Sequence, residues 1–156
     1  MKGHGSVNPF FQGVKIFFAP PVIFFFVFPG ACRIMARMFV SLLKSKLHHA
    51  RVTGAEPEYE GSLSLDSGLM EAAGILPNEK LLVANLDNGN RFETYAIGAP
   101  RGGGACRLNG AAARMGGPGD RLIIMTFCQL TPGEAATHAP RVLRLDAQNR
   151  VAGPAS

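Results

Sequence analysis

The 156-residue sequence predicts an all-β fold, and its composition and patterning carry that prediction. Nineteen glycines and eleven prolines separate short apolar runs, and no long stretch has helical periodicity. So many short strands with turn signals, in only about 115 residues after the N-terminal region, predict a small barrel.

The first predicted elements follow that N-terminal region. Residues 39–43 read as a first strand, a polar segment occupies 44–49, and a second strand lies near 51–53. Asp66 is placed to cap a helix over residues 67–73, with Gly74 at its C-terminal cap.

A hairpin is predicted next. Residues 80–86 form an apolar strand, 87–90 contain the Asn-Gly pair typical of a tight turn, and 91–97 form the returning strand. Successive side chains of that strand alternate between two faces: Arg91, Glu93 and Tyr95 on one, and Phe92, Thr94 and Ala96 on the other.

The last elements include one short helix. Residues 120–130 carry a buried strand, and 131–134 have capping-box spacing with proline at the first helical position. Residues 141–145 close as a strand, and 152–156 are expected to be a loose tail.

Composition limits the class of protein. With 47% hydrophobic and 17% charged residues, the chain is expected to bury one compact core. The net charge is +5, but the basic residues are scattered, so no nucleic-acid-binding stripe is indicated. Three cysteines without CxxC spacing indicate neither a disulfide framework nor a zinc site, and a reducing cytosol fits.

Residues 1–34 differ from the rest and are treated as a leader outside the domain, which is expected to span 35–156. The apolar block 16–28 is too short for a transmembrane helix and contains two prolines. Three interpretations stay open: a translated upstream region before a start at Met35 or Met38, a signal or anchor, and a folded extension.

Two short motifs bear on chemistry. A serine hydroxyl can attack the carbonyl of a preceding glycine at a strained turn, so Gly61-Ser62 has the composition of a self-cleaving bond. The dipeptide alone is more often an ordinary turn. The adjacent His48 and His49 have no third ligand at helical or hairpin spacing, so no metal site is predicted.

Five blocks together carry a family resemblance: residues 44–48, 59–62, 88–97, 101–102 and 109–113. Their order and spacing resemble the aspartate 1-decarboxylase family over roughly residues 38–147. The resemblance implies a six-stranded double-psi β-barrel with short peripheral helices, assembled as a homotetramer with active sites between neighbouring subunits. It also implies a zymogen that cleaves itself between Gly61 and Ser62 into a small β chain and a larger α chain.

The resemblance assigns roles to residues that alone would fit ordinary strand, turn or surface positions. Ser62 becomes the covalent pyruvoyl group, and Tyr95 the catalytic proton donor. The implied cleavage residues are Gly61, Ser62, Thr94 and Asn109. The implied substrate-binding residues are Lys46, His48, Arg91, Thr94, Gly110, Ala111 and Ala112.

The implied activity is a lyase reaction in the cytoplasm. L-Aspartate forms a Schiff base with the self-generated pyruvoyl group and loses CO2 to give β-alanine, a precursor of pantothenate and coenzyme A. No metal, pyridoxal phosphate, nucleic acid or membrane partner is expected. Arg114 stands where many relatives have histidine, and Ala84 lies in a strand where some relatives have tryptophan.

Two alternatives remain at this point. One is an uncleaved barrel that acts as a non-enzymatic binding module. The other is a different pyruvoyl-dependent decarboxylase, such as the phosphatidylserine enzyme, although in that enzyme the Gly-Ser pair lies near the C-terminus of a larger chain.

Overall fold

A computed structural model of the chain describes residues 38–154. The chain divides into a unit that ends at Met38 and a unit that begins at Phe39, and the second contains all the strands and helices of the described residues. The predicted leader, residues 1–34, lies outside the described residues.

Within residues 38–154, nine strands form a single sheet, in the order β2-β6-β3-β5-β4-β7-β1-β8-β9. The strands are β1 (Val40–Arg51), β2 (Gly54–Glu56), β3 (Ser62–Asp66), β4 (Lys80–Asn85), β5 (Arg91–Ala99), β6 (Cys106–Asn109), β7 (Arg121–Leu130), β8 (Arg141–Leu145) and β9 (Val151–Pro154). The helices are α1 (Ser67–Ala73), α2 (Pro132–Ala135) and an intervening 3-10 helix (Gly110–Arg114). The predicted all-β fold with short helices is confirmed.

Local capping signals place both helices where the sequence predicts them. The Asp66 side chain accepts a hydrogen bond from the backbone amide of Gly68, and Gly74 ends α1 in the left-handed region. Thr131 and Glu134 form the reciprocal capping box at the start of α2.

The β4–β5 hairpin is also as predicted. The two strands pair antiparallel from Lys80↔Tyr95 to Ala84↔Arg91. Gly89 has a φ of +78°, so it supplies the positive φ expected of the Asn-Gly pair. The face of β5 that carries Arg91 and Tyr95 is exposed, whereas Ala96 on the other face is buried.

The predicted break in the first strand is wrong, because β1 runs unbroken for 12 residues. It lies between β7, with which it pairs antiparallel, and β8, with which it pairs parallel. The polar segment 44–49 therefore belongs to a central strand: Ser45 and Leu47 point into the core and Lys46 and His48 point away. The second predicted strand, near 51–53, is replaced by β2 at Gly54–Glu56.

The predicted loose tail is also wrong for the described residues up to 154. Val151–Pro154 forms β9 and pairs antiparallel with β8, including the pair Leu145↔Val151. A turn stabilises this pairing, in which Asp146 accepts hydrogen bonds from the amides of Gln148 and Arg150, both at 2.8 Å.

One hydrophobic core lies on the inner face of the sheet and under α1. Its fully buried large side chains are Leu47, Leu63, Leu65, Leu81, Val83, Leu108, Leu122 and Ile124. Within residues 38–154, none of the helices has the length and apolar character needed to span a bilayer.

Candidate active site

Two consecutive residues with positive φ form the turn that leads into β3. Gly61 has a φ of +68° and Ser62 a φ of +87°. Glycine adopts this region freely, but an L-residue such as Ser62 is strained there by about 1–2 kcal/mol. The peptide bond between Gly61 and Ser62 therefore lies at a strained turn.

The Ser62 hydroxyl is buried and held at two points. Ser62 is only 4% exposed. Its Oγ donates a short hydrogen bond to the backbone carbonyl of Tyr95 and accepts one from the backbone amide of Leu63 at 2.6 Å. The hydroxyl is thus fixed in a site that excludes bulk water.

Parallel pairing of β3 with β5 brings Tyr95 to this turn, through the pairs Leu63↔Ala96 and Ser64↔Ile97. A Cβ built on Gly61 would lie 3.1 Å from the Tyr95 phenol oxygen, so the phenol sits beside the Gly61 α-carbon. The Tyr95 carbonyl therefore accepts a hydrogen bond from the Ser62 hydroxyl, and the Tyr95 side chain lies beside Gly61.

Thr94 occupies the neighbouring position of β5. The β3–β5 ladder begins at Leu63↔Ala96, so Thr94 lies two residues before the first paired residue of β5, at the end of β3 where the turn enters. Within residues 38–154, the Thr94 hydroxyl has no hydrogen-bond partner. A free hydroxyl donor therefore lies on β5 next to Tyr95, near the turn.

Asn109 joins the turn from the other side of β3. It pairs with Ser62 in the antiparallel β3–β6 ladder and is 2% exposed. Its Nδ2 donates to the Ser64 hydroxyl at 2.8 Å. Asn109 therefore ties β6 to the strand that begins at Ser62.

Gly110 packs directly against the turn. Its φ is +56°, and an added Cβ would come within 3.1 Å of the Gly61 α-carbon, the Gly61 nitrogen and the Tyr59 carbonyl. Only glycine leaves room for this approach. Ala111 and Ala112 follow in the 3-10 helix, the first exposed and the second buried.

Two contributors to the turn were missed from sequence. The Leu63 amide and the Ser64 hydroxyl both hold groups there, as described above. Ser64 carried a usable signal, since it is the polar position between two leucines of a strand. A cavity of about 240 Å³ opens beside Ser64 and Asn109.

The three remaining predicted residues, Lys46, His48 and Arg91, lie on the outer face of the sheet and are called the cationic face below. The pairs Arg91↔Ala84, Ala84↔Ile123 and Ile123↔His48 form one row across four strands. Three strand spacings of about 4.8 Å put Arg91 and His48 roughly 14 Å apart at the backbone. Lys46 lies two residues along β1 on the same face.

His48 has an unusual environment within that face. Its ring stacks on His49 with centroids 3.9 Å apart, and its Nδ1 is buried without a hydrogen-bond partner among the described residues. Burial, followed by the positive charges of His49, Lys46 and Arg144, lowers the pKa of His48. The neutral imidazole, with a nitrogen free to bond, is therefore favoured.

Within one protomer, the Gly61–Ser62 turn and the cationic face remain apart. β4 and β7 separate β5 from β1, and Arg91 is four residues from Tyr95 along β5, about 13 Å. In residues 38–154, no three His, Cys, Asp or Glu side chains are grouped as metal ligands.

The same part of the chain matches known proteins. Residues 38–152 match the family model described as aspartate decarboxylase. A protein named aspartate 1-decarboxylase from Syntrophobacter fumaroxidans is 56% identical over 109 residues, covering 70% of this chain and 88% of the relative. Those of Pelotomaculum thermopropionicum and Caulobacter vibrioides are 52% and 49% identical over 114 residues, covering 73% of this chain and 86% and 97% of the relatives. The chain belongs to the aspartate decarboxylase family.

Proposed function

We propose that this chain is the precursor of a lyase that converts L-aspartate to β-alanine and CO2, and that it cleaves itself between Gly61 and Ser62. Family membership supports the reaction. The observation that carries the self-cleavage is the strained positive φ of Ser62 after Gly61, with the Ser62 hydroxyl fixed between Tyr95 and Leu63. β-Alanine so formed would supply pantothenate and coenzyme A synthesis.

The cleavage uses groups already on this turn. Ser62 Oγ attacks the Gly61 carbonyl carbon, and the amide C–N bond breaks as the ester C–O bond forms. The Thr94 hydroxyl is the donor for the developing oxyanion, and Asn109 holds β3 in place. Elimination across the Ser62 Cα–Cβ bond then releases Gly61 as a carboxylate, and hydrolysis of the resulting dehydroalanine releases ammonia and leaves a pyruvoyl group.

The residues around position 62 suit that group. A pyruvoyl carbonyl supplies an electron sink for the electrons left when the α-carboxylate departs as CO2. Tyr95 donates a proton to the former α-carbon, a role supported by the position of its phenol beside residue 61. No metal or pyridoxal phosphate is needed for these steps.

The cationic face suits a dicarboxylate substrate. Arg91 lies at one end of the row and His48 at the other, with Lys46 beside it, so positive groups face each other across Ala84 and Ile123. The backbone of Gly110, Ala111 and Ala112 forms the wall on the side of the turn, with Thr94 opposite. These groups would hold the substrate while charge develops.

A homotetramer would bring the two parts of the site together. Because β4 and β7 separate Lys46 and His48 on β1 from Tyr95 on β5, a neighbouring subunit is the source of the missing part. We place the enzyme in the cytoplasm, with no nucleic-acid or membrane partner. The catalytic domain is residues 35–156, divided by the cut into a β chain ending at Gly61 and an α chain beginning at position 62.

Intact-mass analysis of purified protein tests self-cleavage. We expect two fragments separated at residues 61 and 62, the larger with a pyruvoyl terminus, and Ser62→Ala should remain a single chain. Full-length wild-type protein with unmodified Ser62 after prolonged incubation would instead favour the uncleaved binding module.

Release of CO2 tests the substrate and the proton donor. The cleaved enzyme should decarboxylate aspartate, but neither glutamate nor phosphatidylserine. Tyr95→Phe should cleave normally and lose roughly 100-fold or more in kcat, the scale of general acid catalysis. Full turnover by this variant would remove Tyr95 from the mechanism.

A further inference from the structure

One residue outside the matched blocks completes the end of the cationic face at which Lys46 and His48 lie. Arg144 in β8 pairs in parallel register with His48, and Lys46 pairs with Val142 two residues earlier. Residues paired in register share a face of the sheet, so Arg144, His48 and Lys46 all point outward. Backbones of adjacent strands lie about 4.8 Å apart, which an arginine side chain easily spans.

This cluster has no anionic partner in the described part of the protomer. The ion pairs formed by residues 38–154 involve other cations: Lys44, Lys80, Arg101, Arg107 and Arg121. The residues of β7 paired with His48 and Lys46 are Ile123 and Met125, and neither is charged. The groups that face His48 are thus Lys46 and His49 on its own strand, Ile123 on β7 and Arg144 on β8.

The imidazole of His48, between Lys46 and Arg144, gives a second indication that a ligand binds here. His48 Nδ1 is buried and has no hydrogen-bond partner within residues 38–154. A buried polar atom without a partner costs about 1–3 kcal/mol unless a ligand or water satisfies it. Unpaired cations flank this atom over an apolar strip, an arrangement suited to a carboxylate.

We propose that Arg144 is a further substrate-recognition residue, which with Lys46 binds one carboxylate of the dicarboxylate substrate around His48. This inference rests on the proposed function and adds a residue to its binding site. The planar guanidinium can take a carboxylate by two parallel hydrogen bonds, which the Lys46 ammonium cannot do. Arg91, at the far end of the row, is then left for the other carboxylate.

Titration calorimetry with succinate tests the binding directly. Succinate has two carboxylates and no amine, so it occupies the site without condensing with a carbonyl. Arg144→Gln should raise the succinate Kd and the aspartate KM by about tenfold or more, with kcat within about twofold, since a uniform binding contact is lost. Arg144→Lys should recover part of the loss.

Arg141→Gln is the matched control. Arg141 is exposed on the same strand three residues earlier, and its guanidinium lies near Gly74 on the α1 side of the sheet. This variant loses the same charge and should bind succinate as the wild type does. Equal weakening by both variants would reduce the effect to net charge and overturn the proposal, as would a wild-type Kd in Arg144→Gln.

Two further readouts keep the proposal separate from the proposed function. Succinate binding is measurable whether or not the chain is cleaved, so an uncleaved wild type that binds succinate through Arg144 refutes only the proposed enzyme. A wild type that binds no succinate refutes the role of Arg144. By NMR, Arg144→Gln should raise the pKa of His48, because one of the charges that lower it is gone, whereas Arg141→Gln should leave it unchanged.

Discussion

The close approach of Gly110 to Gly61 gives a sharp prediction for Gly110→Ala. The added Cβ would meet three backbone atoms at 3.1 Å, and the residue would keep a φ of +56°. The conformation costs about 1–2 kcal/mol, and the crowding adds about 1–2 kcal/mol at the low end of overpacking. The total of about 2–4 kcal/mol corresponds to a fall in Tm of about 8–16 °C for a domain of this size.

The crowding acts on the bond expected to break. Because Gly61 must shift by a few tenths of an ångström, its carbonyl moves relative to Ser62 Oγ, and cleavage should slow by about tenfold. Thermal unfolding is measured in the Ser62→Ala background, so that every sample is uncleaved. Cleavage is followed by intact mass in a time course on the Ser62 protein.

Two other glycines separate strain from crowding. Gly89 has a φ of +78° with open space around its Cβ position, so Gly89→Ala should lower stability by the conformational part alone, about 1–2 kcal/mol. Gly117 has neither constraint, so Gly117→Ala should change little. The reasoning fails if Gly110→Ala is no less stable than Gly89→Ala and cleaves at the wild-type rate.

Three further outcomes are expected. Asp66→Ala should lower the free energy of unfolding by about 1–3 kcal/mol. Burial alone would raise the pKa of Asp66, but hydrogen bonds from backbone amides lower it overall, so the Asp66 carboxylate stabilises the fold above about pH 4. The difference in stability between wild type and variant should therefore narrow as the pH falls through the folded-state pKa. Burial raises the pKa of Cys106 to about 12, so iodoacetamide should modify half-buried Cys128 before Cys106 in native protein, whereas in urea these two cysteines should react alike, as read by peptide mass spectrometry. The buried side chain of Asn149, a residue with a φ of +58°, makes three hydrogen bonds to the main chain. Urea unfolding of Asn149→Ala should show that the free energy of unfolding falls by about 3 kcal/mol.

Elements defined by neighbouring residues were predictable from the sequence. The caps of α1, the capping box of α2 and the Asn-Gly hairpin each depend on residues within a few positions of one another. The alternation in β5 likewise separated Arg91 and Tyr95 from the buried face correctly. Such signals survive because tertiary contacts do not oppose them.

Elements defined by distant partners were not predictable from the sequence. The polar segment of β1 resembles a loop, and becomes a strand because β7 and β8 satisfy its backbone on both sides, with irregularities at Leu43/Ser45 and His48/Ala50. The segment that resembles a tail forms β9 because the turn at Asp146 brings the chain back beside β8, whose free edge then pairs with it.

The candidate site shows the same division. Gly61-Ser62 was visible as a dipeptide, but the approach of Tyr95 depends on parallel pairing of two strands more than 30 residues apart, which no local pattern encodes. The proposed role of Arg144 depends on the β1–β8 register for the same reason, and neither spacing nor composition indicated it.

The position of β1 inside the sheet has a consequence for the protein that the proposed cleavage would produce. A cut after Gly61 leaves β1 and β2 on a separate polypeptide, yet β1 stays hydrogen-bonded to β7 and β8, and β2 to β6. The small fragment therefore cannot leave without breaking the hydrogen bonds on both edges of β1, and the two pieces should co-purify in native buffer. Refolding of the uncut precursor is unimolecular. After the two fragments have been separated by denaturant, they must associate to refold, so refolding becomes bimolecular and slows on dilution.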